Sequence, residues 1–572
     1  EVELDDRSTA VRIDRLTGRT VDLTPSSPTL RPGSTVHPVI SDDGCVIAVV
    51  TELALDPFRD DDVGSRWDVY RFVVPECGGA VGRWELVSTD AAGTSRDDVD
   101  PEVPPAVAAA GGVIAFTHPV DAGSGPASSR TGSPTAAATT ISVVDLTAPV
   151  GSPDRVEIVP AIPVEPPTGA YRYRGASEPA LSGDGRRLAF TADTTANEPL
   201  PGWGEGAEPG ADAVTQVFLW DRDDVDRRTR ITLVSARVDV DGSLVPSSGA
   251  WSPAVNADAD VVVFVSGDPD LTDTGRRVRC ESECPLQVYR SELPTADSGT
   301  DADDADAVPV VHSLTAVSAA PDRSGESLLG EADTWAPAID RRGDRTVVLS
   351  RSSSLAPGRV PVEAAAVELP DDLERGELLV AEGDRALQRV SVAADVDGVP
   401  AIHGRAAVSA TGRVVVGEAF VDRFTGPVAP VGPVGSTTGR GLVAWVATPR
   451  VVLADLDFGT VLPGWEGDEL YVSVRNDGPG SFAPISVTIG SPAFRVVPGG
   501  TCTRGAVVPA GGSCTVHVGF TPSSELDLAG VLTVAEDTAV PSDAVTVSAV
   551  VTGAGGEPML RAEPGGIDLG EA

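Results

Sequence analysis

The sequence contains no lysine and one methionine, although it is 572 residues long. All 43 basic residues are therefore arginines, and 85 acidic residues give the chain a formal net charge of −42 at pH 7. A chain this acidic repels phosphate backbones, so we expect no nucleic-acid binding. Because lysine codons are rich in adenine, the lack of lysine is typical of a high-GC genome, and we expect a bacterial source of that kind.

The sequence also lacks long apolar runs and the common catalytic motifs. No stretch of about 18 apolar residues occurs, so we expect no membrane span in this chain. No HExxH or GxSxG motif occurs, and the Gly-rich stretches lack the Lys of a phosphate-binding loop. We therefore expect no catalytic residues, no cofactor and no enzymatic activity.

Cysteine is scarce, and the six Cys residues form three near pairs in the sequence. None of them makes a CxxC motif, which argues against a zinc site. An even number in local pairs predicts disulfides and an oxidising compartment, hence an extracellular or cell-surface location. The pairs are Cys45 with Cys77, Cys280 with Cys284, and Cys502 with Cys514.

One short motif recurs six times along the chain. Its clearest copy, Pro179-Ala-Leu-Ser-Gly-Asp-Gly185, is followed by the apolar run Leu188-Ala-Phe190. We interpret each copy as a β-hairpin in which Pro begins the inner strand and Gly accepts positive φ in the turn. The apolar run is expected to pack between neighbouring repeats. The six copies begin at Pro38, Pro105, Pro179, Pro253, Pro337 and Ala406.

Each repeat holds two further strands. One reads Gln216-Val-Phe-Leu-Trp-Asp221 in the third repeat, and another ends in Val-Ser, as at Leu86-Val-Ser88. Four short strands per repeat, arranged around a ring, make a β-propeller blade. The motif resembles the TolB-like, WD40-like β-propeller repeats of bacterial envelope and secreted proteins, a resemblance that implies a fold and no particular function. We predict an all-β protein with a six-bladed β-propeller over residues 1–446.

The N-terminal segment suggests how the ring closes. Val11-Arg-Ile-Asp14 resembles a third strand, and Thr20-Val-Asp-Leu-Thr24 resembles a fourth. We predict that residues 8–24 complete the last blade, which would remove open sheet edges.

The pattern changes near Thr448. Over residues 449–553, alternating strands with turns about every ten residues predict an immunoglobulin-like β-sandwich. Leu456-Asp-Phe-Gly459, together with Cys502 and Pro509–Cys514, resembles the ASPM/Hydin-type Ig-like family, which includes the repeats of choice-of-anchor D surface proteins. The resemblance implies a spacer or assembly module.

The sequence pattern predicts that a second copy of that module begins near the C-terminus. Ile567-Asp-Leu-Gly570 repeats Leu456-Asp-Phe-Gly459, so we expect residues 557–572 to start another repeat of a longer natural protein. Alternatively, an unpaired first strand could add to a sheet of another subunit.

Among metal ions, Ca²⁺ is the main candidate for binding by the Asp-rich loops of this chain. The two Asp-Val-Asp-Gly segments place Asp239 with Asp241 and Asp395 with Asp397. Ca²⁺ requires six to eight oxygens, and neither segment completes the D-x-D-x-D-G pattern. Repeat turns with solvated carboxylates are the alternative interpretation.

These features favour an extracellular structural or interaction protein, with a propeller head for recognition on an Ig-like stalk. Its partner would be a protein or glycan at the surface, or other copies of itself in a filament or appendage. The alternative is a secreted propeller enzyme that acts on a glycan in the central channel. Carboxylates with a His at one channel mouth would favour the enzyme.

Overall fold

In a computed structural model the chain forms two compact units, Glu1–Trp445 and Val446–Ala572. Almost all ordered segments are β-strands, numbered β1 to β37 along the chain. The described residues hold one short 3₁₀ helix, Pro269–Leu271, and no helix long and apolar enough to cross a membrane. The structure describes residues 10–13, 20–23, 34–56, 67–74, 82–96, 99–119, 139–159, 173–194, 214–223, 231–238, 244–272, 284–293, 313–321, 327–330, 332–352, 355, 377–382, 387–389, 402–410, 412, 414–420, 440–446, 451–476, 482, 484–503, 506, 508, 512–536 and 545–556.

Six antiparallel sheets of the first unit, here called blades one to six, each begin at a copy of the motif. In each blade the strands follow one another in chain order, as a meander. Blade one is Thr35–Ile40, Val46–Thr51, Asp68–Val73 and Arg83–Leu86 (β3–β6); blade two is Ala106–Val107, Val113–Pro119, Thr139–Asp145 and Val156–Ile158 (β7–β10); blade three is Tyr173–Leu181, Arg187–Thr194, Val214–Asp221 and Ile231–Leu233 (β11–β14). Blade four is Ala250–Val255, Val261–Ser266, Gln287–Glu292 and Ser313–Ala316 (β17–β20); blade five is Thr334–Ile339, Arg345–Ser350, Glu377–Glu382 and Gln388–Arg389 (β23–β26); blade six is Ile402–Val408, Val414–Phe420 and Arg440–Val446 (β27–β29).

Three two-stranded hairpins complete the described strands of this unit. One precedes blade one, and the others lie between blades three and four and between blades four and five. Their strands are Val11–Ile13 with Thr20–Asp22 (β1, β2), Ala236–Val238 with Leu244–Pro246 (β15, β16), and Ala319–Pro321 with Ser327–Leu329 (β21, β22).

The blades stack face to face because their second strands are apolar on both sides. In blade three, Leu188 and Phe190 pack against blade two, whereas Ala189 packs against blade four. All three are fully buried, and burying a large apolar side chain contributes roughly 1.5–3 kcal/mol. The predicted packing of this run between repeats is confirmed, as is the all-β propeller fold. The number of blades in the closed ring stays a prediction.

The motif proline lies inside the first strand in blades one, three, four and five, whereas Pro105 of blade two comes directly before Ala106–Val107, at the strand start that the sequence pattern predicted. In blades one, three, four and five the ladder has a register shift around the proline, which marks a β-bulge. The bulge interrupts the ladder where proline lacks its N–H, so the proline costs no cross-strand hydrogen bond. The residue before each proline takes a positive φ of 49 to 52°: His37, Glu178, Ser252 and Ala336.

The N-terminal hairpin bears on the predicted blade closure. Among the described residues, β1 and β2 pair with each other, as the expected third and fourth strands would, but the apolar segment Arg440–Val446 (β29) occupies the third position of blade six. The third-strand assignment is therefore wrong, and completion of the last blade by residues 8–24 stays a prediction. Ala10 and Leu23, which flank the hairpin, are buried against blade one beside Ile47 and Val49.

The second unit is a β-sandwich of two four-stranded sheets around one core. Phe482, Phe520, Leu532 and Val551 are fully buried between the sheets. One sheet contains Val451–Leu453, Leu470–Asn476, Ser513–Phe520 and Phe494–Val497 (β30, β32, β35, β34); the other contains Leu456–Val461, Thr546–Gly555, Asp527–Glu536 and Pro484–Ile489 (β31, β37, β36, β33). The predicted sandwich is confirmed, and the expected second module at residues 557–572 lies outside the described residues.

Candidate functional site: the propeller channel

The first strands of the blades surround the axis of the propeller, and polar side chains lie at their bulges. His37, Glu178 and Ser252 hold equivalent, half-buried positions in blades one, three and four. Glu178 reaches the next blade, where its Oε2 accepts a hydrogen bond from the backbone N–H of Ser252 at 2.8 Å. The bulges of these first strands therefore carry an imidazole, a carboxylate and a hydroxyl.

At the other end of the first strands, the hairpin turns are joined by backbone hydrogen bonds. In blades one to five, the fifth residue of the motif donates its backbone N–H to the carbonyl of the equivalent residue in the next blade, at 2.9 to 3.1 Å. Five such bonds connect blades one to six in order. The six residues, here called the turn ring, are Asp42, Ala109, Gly183, Ala257, Arg341 and Ala410.

The turn ring constricts the channel at this end. Hydrogen-bonded backbone neighbours lie about 5 Å apart, so the turns converge closely on the axis. Arg341 extends past Ala410 to place its Nη1 3.7 Å from Oδ2 of Asp42, linking blade five to blade one. Burial raises the pKa of Asp42, an effect that the Arg341 charge partly offsets and the neighbouring Asp43 reinforces.

A polar side chain closes the hairpin turn in blades one, three, four and five, whereas blade two has Ala108 at that position. The Ser182 hydroxyl accepts the backbone N–H of Arg187 and donates to Asp184, and Ser41 does the same with Val46 and Asp43. Asp184 is therefore part of the turn, as predicted from its Asp-Gly sequence. The predicted positive φ of Gly185 is confirmed at 73°.

Blades four and five use other side chains at this turn-closing position. The Asn256 Oδ1 accepts the N–H of Val261, and the Asp340 Oδ1 accepts the N–H of Arg345, each at 3.0 Å. Asp340 is nearly fully buried, and burial raises its pKa to about 7 despite the Arg345 hydrogen bond and charge. The protein thus holds a titratable carboxyl beside the turn ring.

Arginine side chains join successive blades near the turns. Each donates to a turn carbonyl of the following blade: Arg71 to Gly111 at 2.9 Å, Arg290 to Gly343, and Arg345 to Gly412 at 2.7 Å. Hydrogen bonds from a charged donor are worth more than neutral ones, about 1.5–3 kcal/mol. These contacts hold the turn ring in register.

The recurring Val-Ser ending of the fourth strand also has a structural role. The buried Ser235 hydroxyl accepts the Val217 N–H and donates to Oε1 of Gln216, the residue with which the buried third-strand segment begins. Ser88 repeats this with Val69 and Asp68, and Ser318 repeats it with Val288 and Gln287. The motif therefore joins the third and fourth strands within a blade.

Most of the side chains predicted as sites lie outside the described residues. Asp239, Asp241, Asp395 and Asp397 do, as do Cys77 and Cys280. Cys502 and Cys514 form a disulfide with Cα atoms 5.0 Å apart, and Cys45 and Cys284 are also disulfide-bonded. Within the described part of the chain, no three His, Cys, Asp or Glu side chains are grouped to hold a metal ion.

Sequence reasoning missed the turn ring, because backbone-to-backbone contacts between blades leave little trace in side-chain chemistry. One signal was present: four of its six members are Ala or Gly. A Cβ on Gly183 would lie 2.9 Å from the Ala257 Cβ, so the contact between blades three and four leaves no room for a side chain at Gly183.

Distant structural similarities fit this architecture. The chain is similar to TolB from Acinetobacter baumannii, with 12% identity over 66% of this chain and 61% of the other, at a TM-score of 0.29. An oligogalacturonate lyase in complex with manganese is 11% identical over 77% of this chain and 96% of the other, at a TM-score of 0.35. The chain thus spans 61% of the length of the TolB chain.

A smaller domain is also similar to part of the chain. The ASH/PapD-like domain of human CEP192 is 17% identical over 24% of this chain and 99% of the other, at a TM-score of 0.15. No family model matches the sequence, and no curated protein matches it. The propeller and sandwich assignments therefore rest on the sheets themselves.

Proposed function

We propose that the protein is an extracellular binding protein, with a six-bladed propeller that captures a surface protein or glycan and an Ig-like sandwich that serves as a spacer. The observation that carries this proposal is the arrangement of the first strands. Their turns converge at the turn ring, and the polar residues His37, Glu178 and Ser252 hold equivalent positions at the bulges toward the other end. We infer that the space around the propeller axis receives one end of a ligand, which hydrogen bonds to a few polar groups would hold.

Charge narrows the class of ligand. The chain carries a net charge of −42, which repels anions and steers cationic or neutral groups toward the protein. Glu178 adds a carboxylate within the channel, so an amine-bearing peptide or an uncharged sugar fits better than a phosphate or a sulfated glycan. The disulfides support a location outside the reducing cytoplasm.

A screen of the 572-residue protein against peptide and glycan arrays, followed by calorimetry on the hits, tests this proposal. Glu178→Gln removes the channel charge but keeps an oxygen that accepts the Ser252 N–H, so the fold should be retained. We expect this variant to bind the hits at least about tenfold more weakly, the loss of one charge-assisted hydrogen bond. Asp184→Asn, on the exposed turn, is the matched control and should bind normally.

The same experiment distinguishes the enzyme alternative. Glycosidases use two carboxylates across a cleft, and Glu178 is the only carboxylate among the described first-strand residues. Glycan hits recovered as cleaved products, with cleavage lost in Glu178→Gln, would replace the binding proposal with the enzymatic one. Hits bound equally by parent and Glu178→Gln would place recognition outside the channel and overturn the proposal.

A further inference from the structure

Large apolar side chains are exposed at one end of the sandwich. Trp465 is 68% exposed and Leu526 is 63% exposed, and Leu462 beside them in the chain is 37% exposed. They lie in two loops, 462–469 and 521–526, here called the tip. The loops are joined by backbone hydrogen bonds from Gly464 to Pro522 at 2.7 Å and from Gly467 to Phe520 at 2.9 Å.

The backbone leaves the described sandwich through the tip. The Gly555 N–H donates to the carbonyl of Leu526 at 2.9 Å, and the Gly556 N–H donates to that of Val461 at 3.0 Å. The chain enters the sandwich at the opposite end, where Val451 of β30 pairs with Asn476 of β32. Whatever follows Gly556 therefore starts between the two loops that carry the exposed apolar side chains.

We propose that the tip is the docking surface for a second β-sandwich module of the same type in the same chain. The sequence supplies the reason for this occupant, because Ile567-Asp-Leu-Gly570 repeats the first-strand motif Leu456-Asp-Phe-Gly459. Ile567 is 11 residues beyond Gly556, close enough to hold the new module near the tip. The inference does not depend on what the propeller channel binds.

The size of the surface favours a tethered partner over a free one. A stable complex between separate proteins buries about 800 Å² on each partner. An exposed aromatic side chain supplies about 150–250 Å², so Trp465 with two Leu side chains falls well short of that area. A short linker raises the effective concentration of the next module to about the millimolar range, at which a small apolar contact suffices.

The test uses the chain with a second copy of residues 451–556, which includes β30, joined after Arg561, so that its Leu456 stands where Ile567 does. Ser548→Cys in each copy, on the exposed face of β37, carries one spin label. Pulsed electron paramagnetic resonance then measures the distance between the two labels. Docking predicts a single narrow distance, and Trp465→Ala with Leu526→Ala in the first copy should broaden it into a wide distribution.

Tyr471→Ala in the first copy is the matched control. Tyr471 is 72% exposed, but it lies on the sheet surface, where it pairs with His517. This variant should keep the narrow distance. Calorimetry shows whether both copies fold, since two sandwiches should give about twice the unfolding enthalpy of one.

Three results would overturn the proposal. The first is a broad distribution in the parent, and the second is a narrow distance that survives Trp465→Ala with Leu526→Ala. The third is an unfolding enthalpy of one sandwich only, which would show that a second module cannot fold in this register beyond the tip. A concentration-dependent dimer lost in Trp465→Ala, with the label distance broad throughout, would assign the tip to a second copy of the chain instead.

Discussion

The backbone N–H of Gly183 in blade three donates to the carbonyl of Ala257 in blade four at 2.9 Å. Both residues hold the same position in the repeat, so the contact joins two copies of one motif. The turn ring is a series of such contacts, and the Gly183–Ala257 contact leaves no room for a larger residue at Gly183, although Asp42 and Arg341 hold the same position in blades one and five. Each blade buries its faces against neighbouring blades, so the distance between blades near the axis must be fixed, and the hydrogen bonds of the turn ring fix it.

Gly183→Ala should destabilise the propeller. Its Cβ would lie 2.9 Å from the Ala257 Cβ and 3.2 Å from the Ala257 Cα, so two backbones must separate. Gly183 does not need positive φ, so the cost reports crowding alone, about 1–3 kcal/mol. Urea denaturation of the propeller measures it, and Ala110→Ser, at an exposed turn position, should leave the free energy of unfolding unchanged. Equal stability of the two variants would show that the turns are loosely joined.

Ser235→Ala should destabilise blade three. The hydroxyl accepts the Val217 N–H at 2.9 Å and donates to Gln216 at 2.6 Å in a fully buried site, and Ala leaves both groups with one partner fewer. A buried polar group left unsatisfied costs about 1–3 kcal/mol. Ser248→Ala, an exposed serine on the same connection, is the control for the same urea titration. A loss no larger than that of the control would contradict the role assigned to the Val-Ser motif.

The repeat was predictable from sequence because it rests on local chemistry. An Asp-Gly turn and the alternating apolar strand of Leu188 and Phe190 specify a hairpin and two buried faces wherever they occur. The bulge before Pro179 was not predictable, since proline fits both a strand start and an interrupted ladder. The third strand of blade six, Arg440–Val446, was also missed, because its Gly-containing apolar run lacks the repeat motif that marks the other blades.

The stability of the propeller should fall with rising pH through the titration of Asp340. Burial raises its pKa to about 7, above the ordinary value of 3.8, so the folded state binds more protons between these limits. The contribution of the protonated carboxyl is therefore fully present below about pH 4 and is lost as the pH rises through 7. Asp340→Asn, which copies Asn256 and keeps the acceptor for Arg345, should remove this dependence.

Unfolding free energies at pH 5 and pH 8 check this expectation. The Asn variant should gain on the parent between pH 5 and pH 8 by about 3 kcal/mol at most, since the two pH units from 5 to the pKa of about 7 each correspond to about 1.4 kcal/mol. The converse change, Asn256→Asp, should create the same fall in blade four. Parallel pH profiles for parent and Asp340→Asn would show that another group titrates.

Replacing Cys502 and Cys514 together by Ala should destabilise the sandwich and spare the propeller. The bridge closes a 12-residue separation, and loops of about this length contribute roughly 3 kcal/mol through the entropy of the unfolded chain. Differential scanning calorimetry should show one transition moving to lower temperature while the other stays in place. If both transitions moved together, the two units would unfold as one.

Leu23→Ala should weaken the start of the propeller. Leu23 is 4% exposed and packs with Ala10 on the face of blade one that carries Ile47 and Val49. In blade three, the corresponding face is covered by blade two, the preceding blade. In blade one, the N-terminal hairpin covers this face instead. Truncating a buried leucine costs about 2–5 kcal/mol.

The control is Ile40→Ala, because Ile40 is 56% exposed although its equivalent in blade three, Leu181, is 9% exposed. A surface truncation of this kind should cost within about 0.5 kcal/mol. Hydrogen exchange of β4 and β5 distinguishes the cause: loss of the cover should raise exchange in blade one of Leu23→Ala ahead of blades three and four. Uniform acceleration across all blades would mean that the hairpin stabilises the whole ring equally, and that the first blade is no weaker than the rest.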